Sequence, residues 1–474
     1  MSSEANFITT GAPAHMGAAV AHGPIFHYRR LFNWIFIIII WTGIVSALKP
    51  SPYDFLALIV IPLWFIGGFR IHRAVVFILV LWCIFEIAGF AALMPYWDEA
   101  DPRLFQLQSL YLFVTVVFFT LFFSERTIER AELCLKAYTV SSVFCAMLGI
   151  ASYFNVGGIG LLWSLDEGRA ASTFDDPNLY GSYLTLAAVY VLYTLLLGTT
   201  KRALLSTAML AILIVGIFVS YSRGSWGALV ISSILMGVAA YSTAGSHMRR
   251  RIALMSAVSV SIAGLALFAL LSQPAVRKFF LERAALAQTY DEGATGRFGN
   301  QIRALPMLLE RPEGFGPLRF RDFFHLEPHN SYIGAFANDG WIGGFTWIII
   351  TVSTCFVGFR LMFVLSPYRR LAQIYWPALF SWLLQGLQID IDHWRQLFLC
   401  FGVIWGMEAA RVRWLSHKTR AVATPPLQSE SELCPAGPMH LWRSPRSQEG
   451  SASWRPRLRR IASQIRIWRH RPIS

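Results

Sequence analysis

The sequence predicts an all-α integral membrane protein of about twelve transmembrane helices with one large loop, and three observations predict it. Of the 474 residues 55% are hydrophobic and only 14% charged, too little charge for a soluble domain of this length. Apolar runs repeatedly approach ~20 residues, the length a helix needs to cross a ~30 Å hydrocarbon core. Basic residues recur in every second connection between those runs, as expected where loops bearing Lys and Arg stay in the cytoplasm.

Taken in order, the first expected span is 31–48, and Arg29 and Arg30 before it keep the N-terminal segment 1–28 inside. That segment lacks a basic start running directly into an apolar core, so no cleavable signal is expected. Spans 52–69 and 74–94 flank Arg70 and Arg73, and Glu86 in the second of them is expected to face the bundle interior. The acidic "PYWDEADPR" (95–103) opens outward, and spans 104–123 and 133–153 enclose the inward "SERTIERAE" (124–132). Next come 179–198, then Lys201 and Arg202, then 203–220 and 224–241, parted by a three-residue polar break. Arg249, Arg250 and Arg251 precede 252–271 on the inside, and 272–340 forms the long outer loop. Span 341–363, the inward Arg369 and Arg370, span 372–389 with Pro377 inside it, and span 394–410 complete the twelve. Trp34, Trp41, Trp226 and Trp341 fit interface anchors.

The membrane region is thus 29–410, and 411–474 is a basic tail returning inside. From Arg411 on there are thirteen Lys or Arg against three Glu, a net +10 of the chain's +14. The Pro/Ser-rich stretch 421–456 reads as disordered. "WRPRLRRIASQIRIWRHR" (454–471) reads either as a basic helix on an anionic leaflet or as more solvated tail. Nucleic acid is not an expected partner, since no recognition fold accompanies the charge. The six cysteines lack metal-ligand spacing and read as buried structural thiols, with no metal or cofactor expected.

Every residue that could do chemistry falls in an outward segment: 154–178, 220–225, 272–340 or 390–396. Arg223 in "YSRGSWGAL" sits at a span end, where a guanidinium either snorkels to headgroups or meets an anion. Gly224 and Ser225 would add helix-start amides favouring the anion. Arg297, with Arg303, Arg311, Arg319 and Arg321 nearby, opens a helical pattern whose apolar stripe is Phe298, Ile302, Leu305 and Leu308 or Leu309. An amphipathic surface helix explains that pattern without any role for Arg297. His329 offers a proton acceptor near neutrality, or is simply a solvated ring before Asn330, itself a good helix cap. Asn338-Asp339-Gly340 is expected to break the short helix that follows, before the span at Trp341. Asp175, Asp176 and Asn178 read as helix capping, or as groups that contact an acceptor sugar or orient His329. Asp390, Asp392, His393 and Arg395 read as an ion-paired group holding the last hairpin.

In their order, "STFDDPNLYGSYL", "YSRGSWGAL", "TGR…P…GFGP" and "HNSYIGAFANDGWIGG" resemble the O-antigen ligase and polymerase family over about residues 30–410. The resemblance implies a GT-C-like, metal-independent glycosyltransferase of the bacterial inner membrane, with its site and large loop facing the periplasm. The implied donor is an undecaprenyl-diphosphate-linked oligosaccharide, and the acceptor is lipid A-core or a growing glycan. Carried onto this chain, the motifs imply Arg223 and Arg297 on the diphosphate and His329 as base. Asn330, Arg303, Arg319, Asp175 and Asn178 are expected to contact substrate. The chain departs from the pattern at Asn338, where members often carry Glu. Two other classes explain parts of the chain. A lipid-linked glycan transporter would place polar groups near the midplane, and a sensor or scaffold would use the loop and tail for binding.

Overall fold

A computed structural model of the protein describes residues 25–48, 50–161, 164–166, 168–198, 203–284, 293 and 296–423. Lys201, Arg202 and the predicted segment 454–471 lie outside the described residues. Two units divide after Arg420, and the helices discussed here belong to the first, apart from the last three residues of α15.

Helices dominate because an apolar chain can satisfy its backbone N–H and C=O groups within one segment only by coiling. They are α1 (Ile25–Thr42), α2 (Pro52–Ile66), α3 (Arg73–Leu93), α4 (Ala100–Ser124), α5 (Thr127–Tyr153), α6 (Pro177–Leu197), α7 (Ala203–Val219) and α8 (Arg223–Thr243). They continue as α9 (Ser246–Leu271), α10 (Pro274–Ala284), α11 (Arg297–Leu309), α12 (Phe320–Phe324), α13 (Ser331–Phe363), α14 (Arg369–Gln385) and α15 (Arg395–Ala423). By length and composition α3 (with a short extension), α4, α5, α6, α8, α9 and α13 are able to cross a membrane, while the apolar parts of α1, α2 and α7 are shorter. A helix falls on each of the twelve predicted segments. α1 ends six residues before the expected 48, because Ser46 and Ala47 turn their N–H groups to Thr173 O at 3.2 Å.

α3 runs along α13, α6 lies between α7 and α8, and α14 packs on α8 and α13. Trp82 of α3, Trp347 of α13 and Phe401 of α15 share one buried aromatic cluster, with ring centroids 5.6–6.2 Å apart. Tyr138 stacks on Tyr183 at 4.4 Å where α5 meets α6. Five free cysteines are described; Cys134, Cys145 and Cys400 are buried as expected, while Cys83 is exposed and Cys355 half-buried.

Between α5 and α6, an antiparallel hairpin, β1 (Ser164–Asp166) with β2 (Arg169–Ser172), occupies the predicted loop 154–178 and buries β2 against α5 and α6. The long loop carries a small core of its own, in which Ala304 and Leu308 of α11 and Phe320 and Phe324 of α12 meet Ala337 of α13. Here the apolar pattern of α11 misleads. Phe298, Ile302, Leu305 and Leu309 are exposed, while Asn300 and Gln301 are buried. Those two amides face inward because they donate to Phe324 O (3.4 Å) and Pro328 O (2.8 Å), carbonyls that no helix satisfies.

The predicted break in α13 is present at Gly340, with φ +68° and ψ −170°, a region essentially restricted to glycine. Loop residues repair the interrupted ladder. Phe315 and Gly316 donate to Ala337 O, and Trp341 donates to Pro312 O at 2.8 Å. A Cβ at Gly340 would lie 2.6 Å from Pro312 O. Gly340→Ala is therefore expected to destabilise the protein by at least about 1–3 kcal/mol, read as a lowered thermal midpoint of the detergent-solubilised protein. An unchanged midpoint would refute this account of the break.

Candidate functional site

At one end of the bundle a cavity of about 540 Å³ is lined by Arg169, Arg223, Arg297, His329 and Asp390, among others. Each reaches it from a helix end, a strand or a short connection, and local chemistry explains why.

Arg223 is the first residue of α8. Tyr221, with φ +46°, makes the reversal after α7 tight, and its hydroxyl is held 2.8 Å from that of Tyr153. Ser222 then caps α8 by accepting from Ser225 N–H at 3.2 Å. Gly224 lets α8 approach α14, since a Cβ there would lie 2.6 Å from Gln385 Nε2. Gln385, another lining residue, is fixed by a 2.9 Å bond from Ser182 Oγ.

Arg297 opens α11, and its Nη1 donates to Gln388 O at 3.0 Å. This bond ties the long loop to the α14–α15 connection. His329 is held from the same connection. Ser331 N–H donates to Gly386 O at 2.8 Å, Ser331 Oγ accepts from Ile391 N–H at 2.6 Å, and Asn330 Nδ2 donates to Leu387 O at 3.1 Å. With His329 at φ +45°, an uncommon conformation for any residue but glycine, its Nδ1 stands 3.5 Å from Asp390 Oδ2. Asp390 Oδ1 accepts the Asn330 N–H at 3.0 Å. One carboxylate thus orients both the ring and the backbone that carries it. Burial pushes the Asp390 carboxyl above its usual range, against the opposing pull of the His329 bond.

Sequence reading did not single out Arg169. It stands on β2, nearly buried, donating from Nε to Ser220 O (3.0 Å) and from Nη2 to Asn178 Oδ1 (2.8 Å). Asn178 is in turn held by Asp176, the cap of α6. No local pattern marks Arg169; only the hairpin's return onto α6 and α7 brings it to the cavity.

The structure therefore brings Arg223, Arg297, His329 and Asn178 together, and leaves other expected contacts elsewhere. Asn330 is used as a cap, its Oδ1 accepting from the N–H groups of Tyr332 and Ile333 at 3.0 and 3.1 Å, so it does not line the cavity. Arg303 is exposed and bonded to Asn300 at 2.6 Å. Arg319 is drawn away by Glu99, by Asp322 and by the Tyr96 ring. Asp175 accepts from Ser46 Oγ and lines a neighbouring cavity. The expected ion pair of the last hairpin is made differently, with Arg395 reaching Asp54 of α2 at 2.8 Å.

Three guanidiniums, two of them at helix starts, suit a ligand with several anionic oxygens, because charge-assisted bonds and helix-start amides reinforce one another. The His329–Asp390 pair beside them suits proton transfer, since a base held by a second group keeps its tautomer and direction. Among the described residues, no group of three or more His, Cys, Asp or Glu side chains is arranged to hold a metal ion. No protein-family model and no curated protein matches the chain.

Asn330 provides a test that separates structure from substrate contact. Asn330→Ala orphans two helix-start amides and is expected to cost about 0.5–2 kcal/mol, read as a lowered midpoint of thermal unfolding. Normal stability with lost ligand binding would instead return Asn330 to the substrate.

Proposed function

We propose that the protein is a membrane glycosyltransferase. In this reading it moves a glycan from an undecaprenyl-diphosphate-linked donor to an acceptor hydroxyl. The single observation that carries the proposal is the convergence of Arg169, Arg223 and Arg297 with the His329–Asp390 pair in one cavity at one end of an apolar helical bundle. The motif resemblance over residues 30–410 points the same way. Twelve spans with cytoplasmic termini, a GT-C-like arrangement and a cavity open to the periplasm of an inner membrane belong to this reading. So does an O-antigen ligase-like acceptor, lipid A-core; a growing repeat-unit glycan would make the enzyme a polymerase with the same chemistry.

The reaction balances with the residues at hand. The acceptor hydroxyl oxygen attacks the anomeric carbon, and the bond from that carbon to the phosphate oxygen breaks. Diphosphate departs with the electron pair, and the hydroxyl proton passes to His329. Negative charge therefore grows where the arginines stand, and preorganised cations there act more strongly in the transition state than in the ground state. Asp390 holds the imidazole and stabilises its protonated form. A single displacement inverts the anomeric centre. A transporter reading is less well supported, because these polar groups gather at one end of the bundle rather than midway along it.

Purified protein in lipid nanodiscs, given a synthetic donor and acceptor, tests the reading through release of undecaprenyl diphosphate. Arg223→Ala and Arg297→Ala are expected to lower kcat by about 10²–10³ each, and His329→Ala by about 10²–10⁴. Asp390→Asn is expected to cost less than loss of the ring itself. Full turnover by the His329 variant would remove the base from the mechanism.

A further inference from the structure

A second cavity of about 800 Å³ adjoins the first, and Asp176 and Asp390 line both. Its size lies in the range of ligand sites, ~300–1,000 Å³. In charge it is the opposite of its neighbour. Six carboxylates line it, those of Asp54, Asp175, Asp176, Glu327, Asp390 and Asp392, against one arginine, Arg395. That arginine is already engaged, 2.8 Å from Asp54 and over the Tyr53 ring at 5.0 Å. Burial first, and Asp390 next, push the Glu327 carboxyl upward, while Arg321 and His329 pull against them.

A hydrogen-bonding group in the wall is also left open. Gln396 is only 4% exposed, yet its Nε2 has no partner. His393 bonds Asp392 through Nδ1 at 3.2 Å and packs on the Phe105 ring at 4.4 Å, so its imidazole is held as part of the wall. Leaving a buried donor unmet is costly, and such groups ordinarily find an acceptor. Carboxylates accept from hydroxyls and amines, the Gln396 amide donates to hydroxyl oxygens, and Tyr111, Phe174 and Trp394 add ring surface to the same wall. Together these are the groups that bind a sugar. The carboxylates do not converge as a metal site.

We propose that this second cavity is the acceptor subsite, and that it selects a glycan whose reacting end carries hydroxyls or an amine and no phosphate or carboxylate. The proposal rests on the glycosyl-transfer reading. It explains why the two cavities share the wall that holds Asp390. A hydroxyl in the acidic cavity lies next to the His329–Asp390 pair, with the diphosphate on the far side among the arginines. The opposed charges also keep the ligands apart, since a phosphate entering the acidic cavity meets like charge.

The full chain in nanodiscs tests this by equilibrium dialysis with three radiolabelled trisaccharides: neutral chitotriose, its de-N-acetylated amine form, and anionic trigalacturonate. Undecaprenyl diphosphate binding is measured in parallel. The neutral and amine trimers are expected to bind at least about tenfold more tightly than the anionic one. Gln396→Leu should weaken chitotriose binding about tenfold and leave undecaprenyl diphosphate binding unchanged. The near-isosteric Asp392→Asn should narrow the gap between amine and anionic trimers. Equal binding of the anionic trimer, absence of trimer binding, or indifference to both substitutions would overturn the proposal. Trimer selectivity without undecaprenyl diphosphate binding would sink the transfer reading while the sugar site stands, and the reverse result would sink the sugar site alone.

Discussion

Inside a hydrocarbon layer a backbone amide has no water to bond, so every peptide group must find its partner within the protein. The architecture follows from that requirement. Along the middle of each helix the ladder is closed and side chains are free to be apolar. At helix ends four amides or carbonyls are left over, and there the chain needs polar chemistry; inside a helix a polar group such as Glu86 is kept only where Gln106 and Ser109 bond it. Arg223 and Arg297 begin helices, Asp176, Ser222 and Asn330 cap them, and Gln385 ends one. The candidate site is assembled from the places where helices run out.

What keeps those ends together is a second layer of hydrogen bonds, mostly to the α14–α15 connection. Carbonyls of Gly386, Leu387 and Gln388 each receive a bond from the long loop or the start of α13. That loop would otherwise be a 69-residue excursion with little to hold it. Its small aromatic core, built on Ala337 and its neighbours, is anchored at both ends of the first segment of α13. The Gly340 break serves the same purpose, since a straight helix would leave Ala337 O and Pro312 O without the partners they now have.

Much of this was legible from residues alone, and the exceptions are instructive. Long apolar runs announced helices because a span's composition is dictated by its surroundings. Arg223, Arg297 and His329 were legible because a charged or titratable group beside an apolar run demands an explanation. Gly340 was legible because Asn-Asp-Gly rarely continues a helix. Arg169 was not, since nothing near it in sequence distinguishes it from a surface arginine; its importance comes from the hairpin's return onto α6. Arg303 and Arg319 resembled their neighbours in composition but were claimed by Asn300, Glu99 and Asp322. The α11 stripe failed because hydrophobic patterning assumes water on the polar side. Here Ile302 and Leu309 stay exposed, and the buried face is free to serve loop carbonyls.

Asp176 and Asp390 belong to two cavities at once, and that shared wall has a thermodynamic consequence. Any occupant of one cavity that polarises or displaces those carboxylates changes the free energy of filling the other. By linkage the effect is mutual: each ligand alters the affinity of its neighbour by the same factor. An anion among the arginines partly cancels their field, leaving the two carboxylates more basic and better able to hold a hydroxyl or an amine across the wall. Cooperativity between the two halves of the site would then require no moving domain. It is built into a wall to which two carboxylates belong on both sides.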